Sequence, residues 1–324
     1  MTSVDVVSVN WNSGRQLAEC LASLAATDRT RVTLGRVVVV DNASSDGSAG
    51  GIDRDDLPLE VLANPTNRGF AAACNQGARA GQSPYILFLN PDTRLEFNSL
   101  AAPLAFLESA AAADVGICGI QLVDAEGKVA RSCARFPTAR QLAAAAIGLD
   151  RLLPGAFPGF LMREWDHRDS RRVDHVIGAF YLVRRSLFER LGGFDERYFV
   201  YLEDLDFSLR AREAGWHSYF LASARAFHRG GGTSDQVRAE RLLYLLRSRL
   251  HYAHRHFSPA GAAAVRAATL GVEPLVRVVA ALGGGAPRQA GDTIRAYWML
   301  ATSAALPPRP ARDGLEGGSL RFRE

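Results

Sequence analysis

No run of uncharged apolar residues in this chain approaches the roughly 20 needed to span a bilayer, so no transmembrane helix is expected. The amino terminus passes directly into VDVVSVNW, with neither a basic n-region nor a small-residue cleavage site, and the reading is of a cytoplasmic protein that rests at most on a membrane surface. Cysteine is scarce. Cys20, Cys74, Cys118 and Cys133 lie far apart without a CxxC or a metal-binding spacing, which leaves them as small buried apolar residues in a reducing compartment. There is no GxGxxG and no GxxxxGK[ST], so neither a dinucleotide fingerprint nor a Walker loop holds phosphate here. Excess charge is also small: a net +4, with arginines spread along the chain, argues against a nucleic-acid surface while suiting anionic substrates or an anionic membrane face.

What is present describes a folded protein. With 324 residues, 48% hydrophobic and 22% charged, the chain can bury one large core or two modest ones. Residues 4–10 form a β-branched run, Asn12 and Ser13 can cap the next segment, and Leu17, Cys20, Leu21 and Leu24 then repeat at helical spacing. RVVVVD (36–41) has the near-continuous apolar character of a strand buried on both faces, and strand, helix, strand at this spacing predicts a parallel βαβ unit in a doubly wound sheet. A short strand at 59–62, a small-residue helix opened by NRGFAAACNQGARAG, and a buried strand in YILFLNPDT (85–93) extend the pattern. After a helix near 98–109 come a strand, a hairpin turned at AEGK, and an irregular, partly basic insertion at 134–172. A strand bearing Gly178 and Ala179, a short helix closed by Gly192 and Gly193, and the strand HSYFLA (217–222) complete the α/β part.

Ligands of such sheets bind outside the carboxyl ends of the strands. Asp41 and Asn42 sit at one such end and can hydrogen-bond a base or ribose edge, although an isolated Asp-Asn also simply turns a chain. Asn67 and Gly69 suit a loop where backbone approaches a ligand closely. Pro91 breaks the ladder after Asn90, so Asp92 projects at a strand end, where a carboxylate can hold Mg2+ or Mn2+ and through it phosphate. His228 precedes GGGTS (230–234); it could ligate the same metal from the opposite side, with the loop closing over a diphosphate. Gly178 and Ala179 leave room for a sugar ring or for close helix packing.

The densest chemistry lies in FVYLEDLDFSLR (199–210). An extended aromatic run stops at Tyr201, and Glu203, Asp204 and Asp206 crowd the start of a helical segment, a junction that can aim a carboxylate into a pocket. Acids in a first turn also answer orphan N–H groups, and Asp206 with Arg210, four apart, reads as a helix-surface pair. From residue 236 the character shifts to Arg-rich amphipathic helices, with Leu242, Leu245, Leu246 and Leu250 on one face. They suit either a lipid interface or packing on the preceding core, and 307–324 reads as a disordered tail.

In order and spacing, VNWN, VVVVDNASSDGS, NRGFAAACNQGA, LFLNPDT, GAFYLVRRSLFERLGGFDERYFVYLEDLDFSLR and FHRGGGTS resemble the family 2 glycosyltransferases over roughly residues 4–256. Within that family the chain looks like the bacterial rhamnosyltransferases of lipid-linked cell-wall or O-antigen polysaccharide synthesis. The resemblance implies a GT-A nucleotide-sugar-binding fold, a Rossmann-like α/β architecture with a mixed, mostly parallel sheet flanked by helices at 1–235, and a C-terminal helical extension at 236–306. It implies nucleotide-sugar binding by Asn10, Asp41, Asn42, Asn67, Gly69, Asn90, Asp92, Gly178 and Ala179, and a metal held by Asp92 and His228. Asp204 corresponds to the catalytic base, with Glu203 positioning it or binding acceptor hydroxyls. Two positions depart from the family pattern: Asn42 stands where many members carry a second Asp, and Asn90 replaces the first Asp of the metal motif.

The implied reaction is inverting transfer of a sugar, foremost L-rhamnose from dTDP-L-rhamnose, onto a polyprenyl-diphosphate-linked saccharide, with peripheral contact at the cytoplasmic face of the inner membrane and no nucleic-acid partner. Users of UDP-hexose, UDP-galactofuranose and GDP-sugars share these motifs. A catalytically inactive nucleotide-sugar binder is the competing reading, and retention of Asp204, Asp92 and His228 weighs against it. A nucleotidyltransferase would need a Gly-rich loop with a basic residue after the first strand, which VNWNSGR fits poorly.

Overall fold

β1 (Thr2–Asn10), α1 (Gln16–Ala25) and β2 (Val32–Asp41) form the expected parallel βαβ unit, with Asn10 level with Asp41 at the carboxyl ends. The computed structural model describes residues 1–50, 52, 55–230 and 237–302. Most of the Gly-rich loop after His228, and the tail at 307–324, lie outside them. β3 (Leu59–Ala63), α2 (Phe70–Ala80), β4 (Tyr85–Leu89), β5 (Thr93–Leu95), α3 (Ala101–Leu107) and β6 (Val115–Val123) follow. The hairpin turn at AEGK is present, but its return strand is a single bridge, Val123 to Val129. The insertion contains β7 (Cys133–Ala134), α4 (Ala139–Ala146) and α5 (Leu149–Leu152), with Thr138 and Gln141 closing a reciprocal capping box on α4. Then come β8 (Arg171–Val173), β9 (His175–Val176), β10 (Phe180–Arg184), α6 (Arg185–Arg190), α7 (Glu203–Glu213) and β11 (His217–His228). Gly178 and Ala179 therefore lie between two strands and not within one.

Among the described residues the main sheet runs β3-β2-β1-β4-β10-β6-β11-β5, with β8 also on β11. β1 to β4 pair in parallel, β10 is antiparallel to both β4 and β6, and β11 is parallel to β6. Two reversals cancel. The carboxyl ends of β1, β2, β4, β6 and β11 consequently share one edge of the sheet.

Side chains alternate between faces along each strand. Val4, Val6, Val37, Val39 and Leu87 pack with α1 and α3, whereas Val7, Val9, Val38, Val40, Ile86 and Phe88 pack with α2, α6 and α7. This is why the strands read as unbroken apolar runs. All four cysteines are buried and unpaired, and burial pushes the Cys20 thiol up to about 12.

The C-terminal part comprises α8 (Arg238–His256), α9 (Pro259–Ala267), a five-residue wide turn, α10 (Glu273–Gly283) and α11 (Pro287–Thr302). α8 is not separate from the α/β part, because Tyr252 and Ala253 share a buried cluster with Tyr198, Leu205 and Leu142. Arg249 enters a buried pair with Glu273 at 2.7 Å, tying α10 to α8. No described helix is long and apolar enough to cross a membrane.

Candidate active site

The shared strand edge opens into a cleft of about 640 Å³ that Asn42, Asn67, Asn90, Asp92, Gly178, Ala179, Glu203, Asp204 and His228 all line. Residues from six separate stretches thus meet in one place. His228 faces Thr93 across the β11–β5 ladder, which brings its Nε2 to 3.4 Å from Asp92 Oδ1. Among the described residues no third His, Cys, Asp or Glu joins this pair. A carboxylate, an imidazole and the amide of Asn90 at the cleft wall still fit a hard divalent cation, provided diphosphate oxygens and water fill the remaining positions.

Three of the anticipated residues do not line the cleft. Asn10 is fully buried, and its amide donates to Asp41 Oδ1 at 2.9 Å and to Ser44 and Ser48. Asp41 in turn accepts from Ser44 Oγ at 2.5 Å, so the two organise the loop after β2. Gly69 has φ +85, and a Cβ there would lie 2.5 Å from the Phe199 carbonyl oxygen. What approaches Gly69 closely is the chain itself, since Phe70 N–H donates to that same carbonyl.

Asn42 shows why an amide serves at this position. Its Nδ2 donates to Asn67 Oδ1 at 2.8 Å and to the Gly69 carbonyl at 3.1 Å, while its Oδ1 accepts from Asn64 and from Arg68 N–H. An aspartate has no N–H to give, so it would lose the first two bonds.

On the far wall no acid occupies the N-cap of α7, although Asp204 does accept from the first-turn Leu205 N–H. Leu202 stands at the N-cap of α7 without a side-chain bond, and it and Tyr201 both adopt left-handed backbone, φ 66 and 73. Two successive non-glycine residues there store strain of the kind found at functional sites, about 1–3 kcal/mol each. Neighbours over-determine it. Phe199 stacks on Tyr244 of α8 at 4.4 Å, and Ser248 Oγ donates to the Val200 carbonyl at 2.8 Å.

Asp204 Oδ2 accepts from Gly178 N–H at 2.8 Å and its Oδ1 accepts from Leu205 N–H, leaving the carboxylate fixed at the cleft wall. A Cβ at residue 178 would sit 3.0 Å from Asp204 Oδ2, so Gly178 makes room for the carboxylate. Glu203 is buried with Oε2 unpartnered, and burial together with the neighbouring Asp204 charge raises its pKa well above the ordinary 4.5. The adjacent acids therefore have different environments, one held by N–H donors and one buried with an oxygen unpartnered.

Asp206 corrects the sequence reading most clearly. It is fully buried and not a surface partner of Arg210: Arg210 Nε lies at 2.7 Å, Arg255 at 3.1 Å and His256 Nε2 at 2.7 Å. Burial opposes its charge, yet the His256 hydrogen bond and the two guanidiniums hold its pKa below the usual value. Asp206 is the link between α7 and α8.

Other cleft residues went unmarked in the sequence. His175, buried, has Nε2 at 3.6 Å from Asp204 Oδ2 and Nδ1 at 3.0 Å from Ser208 Oγ, which also meets Tyr181 OH at 2.9 Å. Burial lowers the His175 pKa, with Asp204 opposing it, so it stands as a neutral ring behind the carboxylate. Glu240, Arg241, Tyr244 and Leu245 of α8 wall the same cleft. A second cleft of about 610 Å³ shares Gln16 and Asp92 with the first and holds Arg15, Arg94 and Arg229. Nothing in a single sequence marks which dispersed arginines converge.

Residues 5–192 match the family model described as Glycosyl transferase family 2. Among curated proteins the chain is 31% identical over 247 residues to the N-acetylglucosaminyl-diphospho-decaprenol L-rhamnosyltransferase of Mycobacterium tuberculosis, covering 70% of this chain and 76% of that one. It is 30% identical over 151 residues to rhamnosyltransferase WbbL of Escherichia coli, covering 46% of this chain and 54% of that one. Of solved structures, the mannosyltransferase PcManGT from Pyrobaculum calidifontis, in complex with GDP-Man and Mn2+, superposes with TM-score 0.54 at 18% identity, over 92% of this chain and 87% of that one. S. aureus TarS 1-349 gives 0.50 at 19%, over 92% and 90%. These two structures share the GT-A fold, which the strand order and flanking helices of this chain reproduce. With the family model spanning more than half of its length, the chain belongs to glycosyl transferase family 2 and is a glycosyltransferase.

Proposed function

We propose that this enzyme transfers L-rhamnose, with inversion, from dTDP-L-rhamnose to a saccharide carried on a polyprenyl diphosphate at a membrane surface. The observation that carries the mechanism is Asp204, a carboxylate pinned by two backbone N–H groups at the wall of the cleft that Asp92 and His228 also line. The names of the curated relatives support the sugar and the lipid-linked acceptor.

In this reading the acceptor hydroxyl oxygen attacks the anomeric carbon from the face opposite the diphosphate. The carbon–oxygen bond to the nucleoside diphosphate breaks, and the hydroxyl proton passes to Asp204, a role worth about 10²–10⁴-fold. Glu203, protonated, offers an O–H to an acceptor oxygen without placing a second negative charge beside the base. Asp92 and His228, with Asn90 beside them, would hold Mg2+ or Mn2+, which when bound stabilises charge on the departing diphosphate. Arg15 and Arg229 line the adjoining cleft together with Asp92, and Arg94 there is paired with Glu19 at 3.2 Å.

A thermal-shift titration against dTDP, UDP and GDP and their sugar conjugates, with Mn2+ or Mg2+ and again with EDTA, tests this reading, because a ligand of the native state raises apparent stability by mass action. A metal-dependent shift greatest for dTDP-L-rhamnose is expected. A greater shift with a UDP- or GDP-sugar would replace the donor. An undiminished shift in Asp92→Ala would remove Asp92 from the metal site.

A further inference from the structure

In the packed helical pair α10–α11, each helix exposes apolar side chains to solvent. Twelve large hydrophobic side chains are exposed among the described residues, and nine of them fall in two stretches, 152–153 and 270–298. On α10, Leu275, Val279 and Leu282 recur at i, i+4 and i+7, which is one helical stripe, and they are 67%, 69% and 58% exposed. On the adjoining α11, Ile294 and Trp298 are four apart and 61% and 66% exposed. α5 adjoins α10: a methyl at Gly148, its N-cap, would touch Val276 at 3.6 Å, and Leu152, the last residue of α5, is 75% exposed. Core-facing helices bury such stripes, and a patch of this kind on a protein surface marks an interaction site.

The charge around the face identifies the partner. Residues 259–302 contain Arg266, Arg277, Arg288 and Arg295 against only Glu273 and Asp292. Glu273 is buried between Arg249 and Arg277, and Arg295 pairs with Glu240, so the positive charge outside these pairs lies on Arg266 and Arg288, against Asp292, and 259–302 keeps a net +2. An isologous dimer would set this charge against its own copy, like charge on like. Anionic lipid headgroups complement it, and the apolar stripe with Trp298 then enters the acyl boundary, the arrangement of an interfacial helix.

The face also stands beside the cleft. Arg295, one residue after Ile294, pairs at 2.7 Å with Glu240, and Glu240 lines the cleft together with Asp204. We propose that the α10–α11 face, extended by Leu152 and Leu153, docks on an anionic bilayer and sets the cleft mouth at the headgroup level, where a polyprenyl diphosphate presents its saccharide. This rests on the lipid-linked acceptor of the proposed function, and it names the surface that meets the lipid.

The test is flotation of the full-length protein with phosphatidylcholine vesicles and with vesicles that also carry phosphatidylglycerol. Flotation with the anionic vesicles alone is expected, with a blue shift of Trp298 emission and quenching by brominated acyl chains. Both optical signals should vanish in Trp298→Phe. Leu275→Asp and Val279→Asp each remove one stripe residue and should weaken partitioning by at least about tenfold. Nucleotide-induced thermal shifts in the same variants should match native protein, which separates lost docking from lost fold. Absent flotation, flotation unaffected by these variants, or concentration-dependent dimers that the same variants dissociate would overturn the proposal. Turnover on a water-soluble short-chain acceptor keeps it distinct from the donor reading: failure there indicts the proposed reaction, whereas failure to float indicts only the surface.

Discussion

The two walls of the cleft are built by opposite means. On one, Asn42, Asn90 and Asp92 stand where parallel strands end, at positions set by a ladder whose register, after a bulge between Val4 and Val6, runs residue by residue to the carboxyl ends. On the other, Glu203 and Asp204 stand on a helix entered through two left-handed residues and steadied by α8, some fifty residues further along the chain. The strand wall binds with groups that regular structure places at little cost. The helix wall holds a carboxylate in a geometry that regular structure would not supply, and side chains from a distant helix maintain it. The strained pair Tyr201 and Leu202 immediately precedes the acids to which chemistry is assigned.

Four variants separate the walls, from the largest expected effect downwards. Asp204→Asn should lower kcat by about 10²–10⁴-fold while leaving the donor-induced thermal shift near native. If donor binding is lost with the fold intact, the division of labour between the walls is wrong.

Asp206→Ala removes the acid shared by Arg210, Arg255 and His256, and stranding buried partners of this kind costs about 3–5 kcal/mol, readable in urea unfolding. The native pKa of Asp206 is lowered, so its stabilisation is present above the unfolded aspartate value near 3.9 and is lost as pH falls through the lower folded value. The acid limb of the stability curve should therefore be flatter in Asp206→Ala.

Gly69→Ala presses the walls apart. The backbone at Gly69, φ 85 and ψ 164, lies in a region essentially restricted to glycine and alone costs an alanine about 1–3 kcal/mol, before the contact with Phe199 is counted. Loss of stability together with a raised KM for donor is expected, and a neutral result would mean that the walls move independently.

Glu203→Gln mimics the protonated acid and should stay within about 1.5 kcal/mol of native, as volume-conserving swaps do. The sign is instructive. A carboxyl with a raised folded pKa makes the native state lose stability as pH climbs from its ordinary 4.5 towards the raised value, because only the unfolded chain releases the proton freely. The variant lacks that loss, so its stability relative to native protein should rise with pH over this window in paired denaturation curves.

The strand wall was legible because its signals are local. Apolar runs, Pro91 after Asn90, and His228 at a strand end follow from neighbours in sequence, and the structure brings Asp92 and His228 together as anticipated. The helix wall was legible only as a crowd of acids. That Asp206 is buried depends on Arg255 and His256 from α8, and that Gly178 exists to admit Asp204 depends on a contact 26 residues away. His175 offered no sequence signal at all. The insertion did carry one that went unused, since Thr138 and Gln141 have capping-box spacing and begin α4. The choice offered for the Arg-rich helices, lipid or core, is answered differently along their length: α8 packs on the catalytic part, whereas α10 and α11 keep their apolar stripe exposed.

The paired left-handed residues Tyr201 and Leu202 bear on how such enzymes can be recombined. A chimera joined at the composition shift near residue 236 would inherit the loop but not Tyr244 and Ser248, which brace it. Relaxation of those two residues would swing the start of α7 and detach Asp204 from Gly178 without changing a single catalytic side chain. The smallest portable unit of this fold extends through His256, because α8 is at once brace and cleft wall.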